Sequence, residues 1–264
     1  MRCGRQLVAL AGGVALSLTI VVPAGAGPDP ATSEPLHILV TNDDGVSSDG
    51  IDALVQGLLG VAGVEVTVIA PLEDMSGTGA QTTSGALRAT PTTTKSGYPA
   101  TAIDGFPADT VKYAVKHLAT LPDLVMSGIN AGSNRGAITY GSGTVGAVLQ
   151  ARKRGIPAVA LSQGDEGVPA DYPVGVKAAV AWLDEHRAAL ASRRAGDPLI
   201  IESVNIPTCI TGEIRGTRRT KIAKFAVRDD TSDCESTEVV KGRNDIAAFL
   251  LGYITVSPVP KSKR

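Results

Sequence analysis

Short apolar runs alternate with helical segments along this chain, and this alternation is the strongest constraint on its fold. Residues 37–41 form an apolar run, residues 50–59 space their apolar side chains as a helix does, and residues 64–70 form a second run. The order strand, helix, strand within about 30 residues predicts a βαβ unit with parallel strands.

The same alternation continues to residue 205. Threonine-rich residues 86–104 predict a hairpin that turns at residues 95–97. Further strands and helices are predicted, in chain order, at residues 107–119, 123–127, 142–154, 157–162, 172–193 and 198–205. The pattern is typical of a doubly wound, mostly parallel α/β sheet of Rossmann-like type. The segment after residue 205 includes the apolar stretch 252–256, and we expect it to add a β element.

The first 26 residues read as a secretory signal. Arg2 and Arg5 give a positive start, apolar residues fill positions 7–22, and Ala24 and Ala26 form an A-x-A cleavage site. We expect cleavage after Ala26 and export to the periplasm or beyond the cell. The alternative is a membrane anchor, for which the apolar run is short of the roughly 20 residues that span a bilayer.

After cleavage we expect a flexible tail at residues 27–36 and a single domain at residues 37–264, with no stable membrane span. The mature chain keeps two cysteines, Cys209 and Cys234, both in polar, turn-like settings. In an oxidising compartment such a pair can form a disulfide, although two unrelated thiols would have the same sequence.

The composition narrows the classes of ligand. The formal net charge is −1 and aromatic residues make up 3% of the chain, so we expect no nucleic-acid duplex as a partner. Only three histidines occur, and His37 begins the first predicted strand, at the end opposite its carboxyl edge. The chemistry of this chain is therefore expected to rely on carboxylates and a metal ion rather than on histidine.

Polar side chains follow several of the predicted strands. Asn42, Asp43 and Asp44 follow the first strand, Ser76 follows the second, and Asn130 follows the strand at residues 123–127. In sheets of this kind the binding crevice lies at the carboxyl ends of the parallel strands. We therefore expect these side chains to converge at one edge of the sheet.

Two adjacent carboxylates repel each other and call for a compensating cation. Mg²⁺ and Mn²⁺ prefer oxygen ligands, so Asp43, Asp44, Ser76 and Asn130 together predict a divalent metal site. Taken alone, the Asn-Asp-Asp-Gly segment is also compatible with an ordinary turn or helix cap, and it is the convergence with later loops that favours the metal.

Ser142, Gly143 and Thr144 open a predicted helix, whose free N–H groups and dipole favour an anion such as phosphate. Plain capping by Ser142 is the alternative. Residues 141–146 also fit the pattern G-x-G-x-x-G, which makes an NAD-dependent oxidoreductase a further alternative. That fingerprint requires a strand immediately before it, whereas the nearest predicted strand ends at residue 127.

These segments, in this order, resemble the SurE family of 5′/3′-nucleotidases and acid phosphatases. The resemblance implies the same metal ligands, a nucleotidase-like reaction and a homodimer or higher oligomer. This sequence differs from the family pattern at residues 72–75, where the family often has a basic residue. It also differs at Gly141 and in its short C-terminal tail. The matching segments lie at residues 38–45, 50–51, 70–71, 76–77, 105–109, 127–134, 142–145, 204–207 and 252–258.

We therefore hypothesise a metal-dependent phosphomonoesterase acting on nucleoside 5′/3′-monophosphates or related esters. Asp43 and Asp44 are the expected catalytic and metal-binding carboxylates, and Asn42 is expected to orient their loop. The nucleophile is expected to be a water activated by the ion, with direct attack by an aspartate left open. A non-catalytic, exported nucleotide- or phosphate-binding protein is the remaining alternative. The residues expected to hold phosphate are Asn134, Ser142, Gly143 and Thr144.

Overall fold

The computed structural model describes Met1 and residues 34–164, 169–227, 231–241 and 244–261. Residues 34–264 form one compact unit. The predicted secretory signal, beyond Met1, and residues 27–33 of the expected tail lie outside the described residues. Glu34 and Pro35 are exposed, and Leu36 already belongs to the first strand, one residue earlier than predicted.

Strands and helices alternate as the sequence pattern indicates. The strands are β1 (Leu36–Thr41), β2 (Val64–Pro71), β3 (Arg88–Thr93), β4 (Pro99–Asp104), β5 (Leu124–Ala131), β6 (Ala158–Gln163), β7 (Ile201–Ile206), β8 (Thr217–Arg219) and β9 (Ile254–Pro258). The helices are α1 (Asp49–Leu59), α2 (Pro107–His117), α3 (Gly143–Lys153), α4 (Tyr172–Ala191) and α5 (Asp245–Leu250).

The strands form one sheet in the order β3-β4-β2-β1-β5-β6-β7-β9-β8. The six strands from β4 to β7 run parallel to one another, β3 pairs antiparallel with β4, and β9 pairs antiparallel with β7. The predicted doubly wound α/β fold is thus confirmed, and β8 and β9 form the added C-terminal β element.

The strand order reverses direction beside β1. The chain moves from β1 outward through β2 to β4, and then returns to place β5 on the other side of β1. Such a switch point leaves a crevice beyond the carboxyl ends of the two strands that flank it. The residues that follow β1 and end β5 are therefore placed for binding.

Helices cover both faces of the sheet. Ile38 and Val40 of β1 pack with α1 and α4, whereas Leu39 points to the other face and packs with α2 and α3. All three side chains are fully buried, as expected for a central parallel strand. This burial on both sides fixes β1 and hence the turn that follows it.

The start of α2 is defined by its own residues. Pro107 occupies the first turn, where its missing N–H is not needed. The buried carboxylate of Asp109 accepts hydrogen bonds from the backbone N–H groups of Phe106 at 3.1 Å and Thr83 at 2.8 Å, and Lys112 lies 3.0 Å away. Burial alone would raise the pKa of Asp109, but these hydrogen bonds outweigh it and hold that pKa below its usual value.

Three local predictions need correction. The strand predicted at residues 123–127 extends to Ala131, through an irregularity in its pairing between Ser127 and Asn130 that includes a cis peptide between Gly128 and Ile129. Asn130 therefore lies at the end of β5 rather than in a loop. The glycine-rich residues 128–141 predict a loop, but part of this segment is a 3₁₀ helix, Gly136–Gly141. Helix α5 was not predicted because six residues are too few to show a periodicity.

Cys209 and Cys234 form a disulfide that joins two segments of the C-terminal part, with 5.7 Å between their Cα atoms. Cys234 is buried and lies against Gly252, just before β9. None of the helices in the described part of the chain is both long and apolar enough to cross a bilayer.

Candidate active site

Residues from four separate segments meet in one cleft of about 890 Å³ at the carboxyl edge of the sheet. The cleft lies beside the switch point between β1 and β5, where the topology places a crevice. The predicted site residues that line it are Asp43, Ser76, Asn130, Asn134 and Ser142. Of the side chains expected to converge at this edge, Asp43, Ser76 and Asn130 line the cleft, whereas Asn42 and Asp44 are not among its lining residues.

The turn after β1 is held by Asn42, which is fully buried. Its Nδ2 donates to the carbonyl oxygen of Gly45 and to Oγ of Ser48, both at 2.8 Å. The carbonyl oxygen of Asp43 accepts a hydrogen bond from the N–H of Met75 at 2.7 Å, which ties the loop after β2 to this turn. Asn42 thus holds the turn that carries Asp43 and Asp44 through two side-chain hydrogen bonds.

The Asp43 carboxylate lies against the first turn of α3. Thr144 Oγ1 donates a hydrogen bond of 2.6 Å to Asp43 Oδ1. A Cβ atom at Gly143 would lie only 2.7 Å from Asp43 Cβ, so the close approach requires glycine at this position. Burial raises the pKa of Asp43, and the hydrogen bonds from Thr144 counteract part of that rise.

Asp44 is half-buried, and its Oδ2 accepts a hydrogen bond of 3.3 Å from the N–H of Ala131 at the end of β5. This bond joins Asp44, which follows β1, to the end of β5 on the other side of the switch point. Burial, followed by repulsion from Asp43, raises the pKa of Asp44 to about 7. The two carboxylates therefore form a site in which negative charge is poorly compensated by the protein.

Two neutral oxygens face the same cleft. Asn130 Nδ2 donates to the carbonyl oxygen of Gly132 at 2.6 Å, which fixes the amide and leaves its Oδ1 as an acceptor. Ser76 Oγ donates to Asp74 Oδ1 at 2.6 Å, and its lone pairs remain available. Both side chains can therefore offer oxygen to a cation.

The donor set fits a hard divalent cation. Asp43 and Asp44 offer charged oxygens, and Ser76 and Asn130 offer neutral ones, which are the ligand types that Mg²⁺ and Mn²⁺ prefer. Among the described residues no cluster of three or more His, Cys, Asp or Glu side chains is placed to hold a metal ion. A set of two carboxylates and two neutral oxygens, completed by substrate and water, matches the way Mg²⁺ is commonly bound.

The residues expected to hold phosphate differ in whether their side chains face the cleft. Ser142 lines the cleft, and its Oγ also caps α3 by accepting from the N–H of Val145 at 3.2 Å. Thr144 is fully buried, and its hydroxyl contacts Asp43 instead of the cleft. Asn134 borders the cleft, but its Nδ2 donates to Thr144 Oγ1 at 3.3 Å and to Ser162 Oγ at 2.9 Å. The Thr144 hydroxyl therefore supports Asp43 and does not line the cleft, whereas a phosphate contact at Gly143 stays a prediction.

Sequence reasoning missed the residues behind Asn134. Asn205 Oδ1 accepts from the N–H of Asn134 at 2.6 Å, and Ser162 Oγ receives its side-chain amide. Both are fully buried near the carboxyl ends of β6 and β7. Their position at the same sheet edge as Asp43 was the signal that could have identified them.

The G-x-G-x-x-G match at residues 141–146 has a different use here. The 3₁₀ helix lies between β5 and α3, so no strand directly precedes the match as a dinucleotide fingerprint requires. A Cβ atom at Gly146 would lie 1.9 Å from the carbonyl oxygen of Gly79, so this glycine permits close packing of the loop after β2. The NAD-dependent alternative is not supported.

Comparison with known proteins agrees with this geometry. The family model described as Survival protein SurE matches residues 38–229. The 5′-nucleotidase SurE of Carboxydothermus hydrogenoformans is 47% identical over 252 residues, covering 85% of this chain and 90% of the relative. The 5′-nucleotidase SurE 2 of Pyrobaculum aerophilum is 40% identical over 197 residues, covering 74% and 72%. The crystal structure of the SurE protein from Aquifex aeolicus superposes with a TM-score of 0.67 at 30% identity, covering 86% of this chain and 94% of that one.

The doubly wound fold, the acidic cleft at its switch point and these relatives define an enzyme of the phosphoric monoester hydrolase class. More particularly, the chain belongs to the SurE family. The family resemblance expressed by the sequence motifs is thereby confirmed, and it extends over most of the described domain.

Proposed function

We propose that this protein is a metal-dependent phosphomonoesterase that hydrolyses nucleoside 5′/3′-monophosphates and related phosphate esters, with Mg²⁺ or Mn²⁺ as the metal. The observation that carries the proposal is the convergence of Asp43, Ser76 and Asn130 in one cleft, with Asp44 hydrogen-bonded to Ala131, which also lines it. The names of the relatives support a nucleotide as the substrate.

Asp43, Asp44, Ser76 and Asn130 would hold the ion. A bound divalent cation supplies Lewis-acid polarisation of a phosphoryl oxygen and neutralises charge that develops on it. The protein's own contribution is to hold Asp43 in place through Thr144 and to present the N-terminal end of α3, capped by Ser142, to the phosphate.

The test measures phosphate release from 5′-AMP and p-nitrophenyl phosphate. We expect activity with added Mn²⁺ or Mg²⁺, loss of activity with a chelator, and recovery when the metal is restored. Asp44→Asn should lower turnover by at least about 100-fold, because it removes one of two charged ligands, while circular dichroism shows an unchanged fold. Asp104→Asn, at an exposed aspartate at the end of β4, is the matched control and should retain activity.

Two results would contradict the proposal. One is full activity of Asp44→Asn, which would remove that carboxylate from the site. The other is tight nucleotide binding with no phosphate release under any metal, which would indicate the non-catalytic, nucleotide-binding alternative.

We also propose that the protein is exported after cleavage behind Ala26 and that it works as a homodimer or higher oligomer. The disulfide between Cys209 and Cys234 supports an oxidising compartment. Exposed apolar side chains in the C-terminal part, such as Ile210 and Val239, support a partner subunit. Amino-terminal sequencing of the secreted protein tests the cleavage site, and light scattering coupled to size-exclusion chromatography tests the oligomer.

A further inference from the structure

The loop after β2 carries an acid that none of the proposed steps above uses. Asp74 Oδ1 accepts two hydrogen bonds from the same residue, 2.8 Å from the backbone N–H of Ser76 and 2.6 Å from its Oγ. The second distance lies in the range of a charge-assisted O–H···O⁻ bond, which is roughly twice as strong as a neutral one. One carboxylate oxygen therefore fixes both the backbone and the side chain of Ser76.

The loop itself is tied to the active site. The N–H of Met75 donates to the carbonyl oxygen of Asp43 at 2.7 Å, and Thr78 Oγ1 donates back to the carbonyl oxygen of Met75 at 2.6 Å. The N–H of Gly79 donates to the carbonyl oxygen of Gly141 at 3.0 Å, which joins the far end of the loop to the 3₁₀ helix. Asp74 and Ser76 are thus held beside the carboxylate turn.

The chemistry of a serine ligand explains why such an acceptor matters. A hydroxyl has one hydrogen and two lone pairs, and it can bind a cation only when the hydrogen points away from the ion. Ser76 is exposed, so without a fixed acceptor its hydroxyl would rotate among water partners. Asp74 accepts the hydrogen bond from the Ser76 hydroxyl, which leaves the lone pairs of Ser76 Oγ available to a cation.

We propose that Asp74 is a positioning residue for the divalent metal, acting through Ser76 by holding its hydroxyl in the orientation that ligates the ion. The proposal rests on the proposed function, because it assumes that Ser76 is a ligand. Asp74 is not itself counted as a ligand, since the described residues contain no cluster of three acidic, His or Cys side chains placed to hold an ion.

Isothermal titration calorimetry of the full chain with Mn²⁺ alone tests this role without relying on activity. Removing a partner of a metal ligand typically costs 10–100-fold in metal affinity, so Asp74→Ala should raise the dissociation constant by about 10-fold or more. Asp74→Asn keeps an acceptor oxygen for the Ser76 hydroxyl and should stay within about threefold of the wild type. Glu73→Ala, at the exposed neighbouring acid, is the control and should change the constant by less than about twofold.

A double-variant cycle separates positioning from a general effect on the loop. If Asp74 acts through Ser76, then Asp74→Ala should add less than about twofold to the dissociation constant once Ser76→Ala is present. The inference would be overturned if Asp74→Ala bound Mn²⁺ as tightly as the wild type. It would also be overturned if Asp74→Ala and Asp74→Asn lost the same affinity, because the negative charge of Asp74 alone would then explain the effect. A Ser76→Ala variant that binds Mn²⁺ as tightly as the wild type would also overturn it.

Failure of the proposed function has a different signature. A wild-type chain that binds no Mn²⁺ would refute the metal site as a whole, and this inference with it. A wild-type chain that binds Mn²⁺ and releases phosphate, beside an Asp74→Ala variant of equal affinity, would refute only the role of Asp74. Thermal unfolding without metal should be the same for all the Asp74 variants, because the loop is exposed.

Discussion

Replacing Gly143 by alanine tests whether the placement of Asp43 sets the rate. An alanine Cβ at this position would lie 2.7 Å from Asp43 Cβ and 2.8 Å from its Oδ2. Carbon atoms in contact are normally about 3.5–4.0 Å apart, so the two residues must separate by about 1 Å. Gly143 is not among the glycines with positive φ, so the cost of the substitution is steric overlap rather than backbone strain.

Asp43 is the residue that must move. Pro107 Cγ would lie 3.1 Å from the same new atom, which limits movement of α3 in that direction. Asp43 Cβ is attached directly to the backbone of the turn, so a rotamer change cannot relieve the contact. A misplacement of about 1 Å near the reacting groups can cost about 100-fold in rate, whereas overpacking costs about 1–3 kcal/mol of stability.

The assay compares Gly143→Ala with Gly60→Ala in release of phosphate from p-nitrophenyl phosphate at saturating Mn²⁺. Gly60 is exposed just after α1 with φ −80°, and a Cβ atom there would lie no closer than 3.4 Å to another atom, so this variant should keep its rate within about twofold. Gly143→Ala should lose about 100-fold while still showing a cooperative thermal transition. A folded Gly143→Ala enzyme with the wild-type rate would refute the reasoning that the position of Asp43 limits catalysis.

Three further predictions concern hydrogen bonds and the disulfide. Thr144→Val keeps the shape of the buried side chain but removes the hydroxyl that donates to Asp43. The fall in kcat/KM should correspond to a loss of about 1.5–3 kcal/mol of transition-state stabilisation. Thr144→Ser keeps the hydroxyl and should restore most of the rate. Asp109→Asn should lower the free energy of unfolding by about 1.5–3 kcal/mol at pH 7. Because the pKa of Asp109 is lowered in the folded state, this difference from the wild type should shrink as the pH falls below 3.8. Denaturant unfolding of both proteins at pH 7 and pH 3 measures the difference. Replacing Cys209 and Cys234 by serine opens a loop spanning 25 residues and should cost about 3.5 kcal/mol, which reducing agent should reproduce in the wild type but not in the variant.

The sequence was sufficient to predict the order of elements and the edge at which the site lies. Apolar runs that end in Asn42-Asp43-Asp44 and near Asn130 define strands together with their carboxyl ends, and parallel topology brings those ends together. These are local patterns combined with one general rule, so a single sequence contains enough information for them.

The direction of each side chain could not be predicted in the same way. Thr144 and Ser142 both begin a helix beside the cleft, yet one hydroxyl is buried on Asp43 and the other borders the cleft. Which partner a hydroxyl takes depends on how closely α3 approaches β1, and that distance is set by packing of the whole sheet. The extension of β5 through its irregular pairing to Asn130 is likewise a tertiary effect without a local signature.

The placement of the site at a switch point ties catalysis to the last stage of folding. Asp44 meets the N–H of Ala131 across 87 positions of sequence, and Thr144 meets Asp43 across 101. Closing loops of this length costs conformational entropy, which only the contacts of the assembled sheet offset. An early hairpin or an isolated βαβ unit therefore does not contain the complete active site. In a refolding experiment, recovery of hydrolysis should therefore report completion of the central sheet and trail the recovery of helical signal.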